Sequence, residues 1–291
     1  MIKLKSLLFS FLSIFSLSIY AEQPELAFLG YEQNDWIVVT AQADGRVVEI
    51  QLKQEPHTFD YDFKTGQILY IGSDGKLYLK HKNSEKEIQL PYGKNGYTQP
   101  NFSCKTDLVY IVELIEGKSN KTRIMSIDLN SQKINSVIEQ NSSQFEPSEL
   151  NNSTFLFTNL ICNKGCGKLI QELWQKSQIT GLSEQITLLN AFSNNPSSHI
   201  NDNWVFFSSD KNNNYHIWGK DLKNTEKAVQ LTFSDNTDTF PGAIGNGQFL
   251  YVSQGSGKYV IKKGNINGKS TDLKLSKNYK SIRQLKVNTC E

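Results

Sequence analysis

The sequence predicts an all-β fold, a six-bladed β-propeller with four-stranded antiparallel blades. The first observation is a unit in which short β-rich runs alternate with turns rich in Asn and Asp, clearest from Pro196 to Phe233. The second is that this unit recurs along the chain. The third is an alternating C-terminal run, 281–287, that belongs to no repeat. One meander cannot hide both of its faces, so the copies must stack on one another as blades do.

The repeat is marked by prolines that precede a turn and an apolar strand. These prolines are Pro56, Pro100, Pro147, Pro196 and Pro241. They lie 44, 47, 49 and 45 residues apart, and they are five of the seven prolines in the chain. This period is typical of one four-stranded propeller blade per repeat.

The N-terminal residues 1–21 have the pattern of a secretory signal peptide. Lys3 and Lys5 precede an apolar run, 7–20, and Ala21 supplies a small residue at its end. The alternative is an uncleaved membrane anchor, but the run contains serines and is short for a span. No later stretch reaches membrane length, so we expect no span in the mature chain. We therefore expect a periplasmic protein, with secretion as the alternative.

The charge balance argues against nucleic acid as a partner. The chain has 31 basic and 29 acidic residues, and two of the lysines lie in the predicted signal peptide. The remaining chain is therefore formally neutral and lacks the basic footprint that nucleic-acid binding requires.

The first blade is incomplete and takes its missing strand from the C-terminus. Residues 27–55 contain too few strands for a blade, and the run at 281–288 supplies another. Such pairing closes the ring and protects an edge that would otherwise invite aggregation. The alternative is a loose tail. The remaining predicted blades are 56–97, 98–144, 145–192, 193–238 and 239–280.

The repeat that begins at Pro196 resembles the proline/aspartate-type propeller repeat of TolB proteins. Trp204-Val205-Phe206-Phe207, Ile217-Trp218 and Asp221-Leu222 carry this resemblance. Asn201 stands where the family has an acidic residue, and Asn246 does so after Pro241. The resemblance covers the propeller, and we expect no counterpart of the N-terminal α/β domain of TolB. It implies an exported, non-enzymatic propeller that acts as a protein-binding scaffold in the bacterial cell envelope or in a secretion assembly.

Four cysteines in an exported chain favour disulfide bonds over free thiols. Cys162 and Cys166 flank a predicted hairpin turn, so a local disulfide is predicted there. A redox site would favour Cys-x-x-Cys at a helix start, and a zinc site lacks its other ligands. Cys104 and Cys290 remain as a second pair, and their distance is not predictable from sequence.

The polar residues show no catalytic motif. None of the four histidines has the spacing of a metalloprotease motif, and no nucleophile elbow is present. The paired acids Asp60/Asp62 and Asp235/Asp238 are predicted in turns, where turn hydrogen bonding is more common than acid–base work. We therefore predict no enzyme activity and no cofactor. A cation bound in the channel is left as an alternative.

The remaining hypothesis is a binding surface. In related propellers the loops that enter the innermost strands rim one mouth of the channel. Aromatic, amide and acidic residues next to prolines predict a rim that binds envelope or secretion-system proteins. These residues are Tyr97, Gln99, Phe145, Glu146, Asn194, Asn195, Asp238 and Phe240. For the aromatic residues among them, packing between blades is an equal alternative. The alternative function is a propeller that binds or cleaves carbohydrate, as a lyase does.

Overall fold

The structure is a computed structural model that describes residues 25–82, 84, 86–91, 96–115, 121–151, 153–161, 169–224 and 226–290. The predicted signal peptide, Cys162 and Cys166 lie outside these residues. Within the described ranges, no helix has the length and apolar character needed to cross a membrane.

The described residues form twenty-four β-strands. In chain order they are β1 (Leu26–Glu32), β2 (Asp35–Ala41), β3 (Val47–Ile50), β4 (Pro56–Tyr61), β5 (Ile68–Gly72), β6 (Leu77–Lys80), β7 (Glu87–Gln89), β8 (Tyr97–Phe102), β9 (Leu108–Leu114), β10 (Thr122–Asp128), β11 (Ile134–Ile138), β12 (Ser143–Asn151), β13 (Thr154–Ile161), β14 (Ile170–Ser177), β15 (Ser183–Gln185), β16 (Ser193–Ser198), β17 (Trp204–Ser209), β18 (His216–Asp221), β19 (Val229–Gln230), β20 (Thr237–Gly245), β21 (Gln248–Gly255), β22 (Lys258–Asn265), β23 (Ser270–Leu273) and β24 (Ser281–Val287).

These strands make six four-stranded antiparallel sheets, which confirms the six-bladed propeller. Blades 2 to 6 are consecutive meanders that start at β4, β8, β12, β16 and β20. Blade 1 has the order β24-β1-β2-β3. Its innermost strand is therefore the C-terminal one, with Leu26 opposite Val287 and Tyr31 opposite Ser281. This pairing confirms the predicted ring closure and rules out a loose tail.

Hydrophobic clusters fill the spaces between neighbouring blades. Each of six buried clusters takes its side chains from two adjacent blades, including one between blades 6 and 1. In β17, Val205 and Phe207 pack toward blade 4, whereas Phe206 packs toward blade 6. Successive side chains of a strand point to opposite faces, and here both faces are covered. For this reason the central strands read as continuous apolar runs.

The proline-led segments occupy a different place from the predicted one. They were predicted as loops that enter the innermost strands, but they are the innermost strands themselves, β8, β12, β16 and β20. Pro100, Pro147, Pro196 and Pro241 lie at register shifts inside these strands. Pro56 instead pairs with Gly72 at the start of β4, so it is not equivalent to the other four.

Candidate functional site

Five of the innermost strands share a bulge that faces the channel. The first bulge residue has a positive φ in each case, between 51° and 55°. These residues are Gln99, Glu146, Asn195, Phe240 and Gln284. The next residue is proline in four blades and Leu285 in blade 1. A positive φ is uncommon outside glycine, so the surrounding ring must hold this conformation.

Side-chain acceptors link these bulges from blade to blade. The Gln99 amide donates to Thr58 Oγ1 at 3.2 Å, and the Glu146 amide donates to Gln99 Oε1 at 2.9 Å. The Asn195 amide donates to Glu146 Oε2 at 2.9 Å. The amides of Phe59 and Phe240 donate in the same way to neighbouring blades, to Gln284 Oε1 and Ser208 Oγ.

These five hydrogen bonds run from blade 1 to blade 6 around the waist of the channel, and we call them the ring. Between blades 6 and 1 the bulge residue is Phe240, whose side chain carries no acceptor. Inner strands have one unpaired edge, and buried amides need partners. The ring therefore supplies hydrogen-bond acceptors for backbone amides that would bond to water if these segments were loops.

Glu146 is the acidic member of the ring. Besides the Asn195 amide, its carboxylate accepts hydrogen bonds from Asn195 Nδ2 at 3.1 Å and Thr158 Oγ1 at 3.0 Å. Burial raises the pKa of Glu146 to about 7, although these donors and the charge of Lys286 favour the ionised form. Its side chain is half-buried and lines the channel cavity. Desolvation therefore outweighs the hydrogen bonds in setting its pKa.

The raised pKa of Glu146 predicts pH-dependent stability. The folded state holds this proton up to about pH 7, whereas the unfolded state releases it near pH 4.5. The free energy of unfolding should therefore fall as pH rises from 4.5 to 7, with about 3 kcal/mol coming from this residue. Glu146→Gln keeps an acceptor for Asn195 but does not titrate, so it should remove this component. Urea unfolding at pH 5 and pH 8 measures it, and an equal pH dependence in both proteins would show that Glu146 is not its source.

Below the ring, toward the C-terminal ends of the inner strands, the channel widens into a cavity of about 580 Å³. The turns that follow the inner strands of blades 2 and 3 border its mouth. Its charged lining residues are Asp60, Asp62, Lys64, Lys105, Asp107, Glu146, Glu149 and Lys286. Both signs of charge are present, and Lys64, Lys105 and Asp107 are exposed. We call this opening the lower mouth.

Two acids of the lower mouth connect neighbouring blades. Asp60 accepts a hydrogen bond from the Phe102 amide at 2.7 Å and pairs with Lys286 at 3.1 Å. Glu149 accepts from the Cys104 amide at 2.8 Å and from Tyr110 Oη at 2.9 Å. Asp60 lies in β4, not in the predicted turn, because the inner strand extends further than the turn pattern indicated. Glu149 and Lys286 were not among the predicted site residues, since their partners depend on which blades are neighbours.

The aromatic residues of the predicted rim do not form an exposed surface. Tyr97 is only 4% exposed and packs between blades 2 and 3. Phe145 and Phe240 are half-buried against the clusters of blades 3/4 and 6/1. The blade-packing alternative therefore describes Tyr97, because odd and even positions of an inner strand alternate between core and channel.

The polar residues of the predicted rim divide between the ring and the blade interiors. Gln99, Glu146 and Asn195 belong to the ring. Asn194 lies beside the Tyr215 hydroxyl. Asp238 was predicted in a turn but is 1% exposed in β20, because that inner strand begins at Thr237, earlier than the turn pattern indicated.

Asp238 lies next to His216, whose Nδ1 is 4.0 Å from Asp238 Oδ2. His216 is buried, so the structure places it in packing and not on the surface. Within the described residues, no group of three or more His, Cys, Asp and Glu side chains is placed to bind a metal ion.

A disulfide joins Cys104 and Cys290, whose Cα atoms are 5.3 Å apart although 186 positions separate them in sequence. Cys104 lies in the turn after β8, and Cys290 lies three residues after β24. The bond therefore connects blade 3 to the end of the chain at the lower mouth.

Comparison with known proteins identifies the fold. No protein-family model and no curated protein matches this sequence. The solved structure of a putative TolB from Agrobacterium tumefaciens superposes with a TM-score of 0.65 and 11% identity, over 86% of this chain and 88% of that one. TolB from Acinetobacter baumannii superposes with a TM-score of 0.70 and 13% identity, over 90% of this chain and 66% of that one. The fold is TolB-like. The resemblance that the Pro196 repeat indicated is therefore confirmed at the level of the propeller.

Proposed function

We propose that this TolB-like propeller is an exported, non-enzymatic protein of the bacterial cell envelope that binds a protein partner at its lower mouth. The observation that carries this proposal is the 580 Å³ cavity, which the waist ring narrows above and charged turns border below. Concave sites with a few placed polar groups are typical of ligand recognition. Exposed charges of both signs around the opening suit a polar protein segment.

The absence of enzyme activity in this proposal rests on how the channel acids are used. Glu146 has a perturbed pKa, which by itself would favour an acid–base role. However, its carboxylate oxygens accept hydrogen bonds from Asn195 and Thr158, so they are engaged in holding the ring. Asp60 and Glu149 are engaged in the same way with backbone amides of blade 3. We infer that these acids are structural and that the exposed mouth does the binding.

Export agrees with the covalent chemistry of the chain. Disulfides persist in oxidising compartments such as the periplasm. The Cys104–Cys290 bond therefore supports the expected periplasmic location.

Charge reversal at the lower mouth tests the proposal. Lys64→Glu combined with Lys105→Glu should reduce partner capture from envelope extract at least about tenfold, because hot-spot losses of 2 kcal/mol or more are common at such sites. The side chains are exposed, so the melting temperature should hardly change. The matched control, Lys227→Glu with Lys258→Glu, makes the same charge change on exposed positions away from the mouth. Equal capture by both double variants would refute binding at this mouth.

A further inference from the structure

Residues 288–290 cross the lower mouth. Strand pairing ends at Val287, and residues 288–290 continue as a segment that we call the strap. The Ile200 amide of blade 5 donates to the Thr289 carbonyl oxygen at 2.9 Å. One residue later, Cys290 is bonded to Cys104 of blade 3. The strap leaves blade 1 and reaches blades 5 and 3, which lie on the far side of the channel, so it must pass over the opening.

The strap covers the cavity described above. Asn288, Thr289 and Cys290 all line it, together with residues of the surrounding blades. Cys290 also borders a second pocket between the turns of blades 3, 4 and 5, alongside Lys105 and Ile200. A segment of three residues spans at most about 10 Å when extended. Held at Val287 by the pairing of β24 and at Cys290 by the disulfide, such a short segment has little freedom to move aside.

The two ends of the disulfide differ in how firmly they are held. On blade 3, the Cys104 amide donates to Glu149 Oε2 at 2.8 Å, and Ser103 Oγ donates to Glu149 Oε1 at 2.7 Å. These bonds fix the turn that carries Cys104. Cys290 is exposed and lies outside any strand, so no strand pairing holds it. Breaking the bond would therefore release the strap and leave the turn in place.

Release of the strap does not require opening of the closed propeller. The strand that closes the propeller pairs with β1 from Ser281 to Val287, all before the strap begins. Its buried side chains, Ile282, Leu285 and Val287, lie in the cluster between blades 6 and 1. The strand that closes the propeller and the strap that covers the mouth are therefore separate parts of the same C-terminal segment.

We propose that the Cys104–Cys290 disulfide is a thiol–disulfide exchange site that latches the strap over the lower mouth. Its substrate would be the dithiol form of a thiol–disulfide oxidoreductase. A thiolate of that dithiol attacks the sulfur of Cys290, an exposed residue, and the Cys104 thiolate leaves and takes up a proton. The second thiol of the dithiol then displaces Cys290. Two protein thiols and one oxidoreductase disulfide result, and the mouth opens. The identity of what then enters rests on the proposed function, whereas the latch does not.

A cavity-labelling experiment tests the latch. Ser148→Cys places a thiol at a half-buried position that lines the cavity. It is made in a Cys162→Ser/Cys166→Ser background, once with the disulfide and once with Cys104→Ser/Cys290→Ser. A polyethylene-glycol maleimide should label the protein without the disulfide at least about tenfold faster, since a latched strap admits it only in locally opened molecules. A small methanethiosulfonate should label both proteins at similar rates.

Two results would overturn the latch. Equal maleimide rates would show that the strap does not restrict the mouth. An equal acceleration of both reagents would show that the variant loosened the fold instead of opening a gate. Dithiothreitol should also reduce Cys104–Cys290 in the folded protein, as measured by mass mapping, and reduction seen only after unfolding by urea would contradict an exchange site. Labelling reports on the strap alone, so loss of the proposed partner capture does not affect its outcome.

Discussion

A chain that ends at Lys280 is expected not to form a stable propeller. It loses β24, the innermost strand of blade 1, and with it the buried side chains of Ile282, Leu285 and Val287. Removal of each large buried aliphatic side chain costs about 2–5 kcal/mol, and a native domain has only about 5–15 kcal/mol in total. The loss of backbone pairing with β1 adds to this and leaves an open blade edge. We expect aggregation or rapid proteolysis.

The control for this truncation is a chain that ends at Val287. It keeps every β24 pair but loses the strap and the disulfide. It should fold and lose no more than the roughly 2–4 kcal/mol that a disulfide typically contributes. Thermal melts and sedimentation of the two truncated proteins make the comparison. If the chain that ends at Lys280 melted like the chain that ends at Val287, ring closure by the C-terminal strand would be refuted.

Replacement of Tyr97 by alanine is expected to destabilise the protein by about 3–5 kcal/mol, the cost of truncating a large buried aromatic residue. Tyr97 packs with Leu69, Val109 and Ile111 in the cluster between blades 2 and 3. The matched aromatic control is Phe233→Ala, because Phe233 is 72% exposed and should change stability by less than about 0.5 kcal/mol.

Urea unfolding of the Tyr97 and Phe233 variants, run beside partner capture, separates a core role of Tyr97 from a binding role. We expect the Tyr97 variant that remains folded to capture partners normally. A Tyr97 variant with unchanged stability and no capture would support the rim hypothesis and contradict the packing that the structure shows.

The sequence predicted the architecture well because every blade of the propeller needs the same pattern of apolar strands and polar turns. A central strand buried on both faces needs a continuous apolar run, as in Trp204-Val205-Phe206-Phe207, and each run is bounded by Asn- and Asp-rich turns. The alternation of Ile282, Leu285 and Val287 with polar residues indicated a strand that lies outside the repeats and pairs with another blade. Such local patterns, repeated at a fixed period, identify both the fold and its closure.

The channel was predicted less well because local turn patterns in the sequence do not determine its geometry. Gln99, Glu146 and Phe240 adopt a positive φ that residues of these types rarely adopt alone, so the segments before the prolines looked like loops. The ring holds them in place, and the acceptor for each amide comes from a side chain in another repeat. Sequence patterns within one repeat do not specify such contacts.

The strap was beyond sequence reasoning for a similar reason. Cys104 and Cys290 were recognisable as a pair, but their distance depends on how the ring closes. Only the assembled propeller shows that a tail leaving blade 1 reaches Ile200 on blade 5 and Cys104 on blade 3. The lower mouth, and not the predicted aromatic rim, therefore became the candidate binding site.

Site-specific photo-cross-linking in intact cells shows whether a protein partner binds at the lower mouth. A benzophenone amino acid at Thr106, an exposed position of the mouth, should form a discrete protein adduct. The same group at Ile179, which is 82% exposed on the outer hairpin of blade 4, should not form it. An adduct that forms from Ile179 and not from Thr106 would place the partner on the outer face and contradict this account.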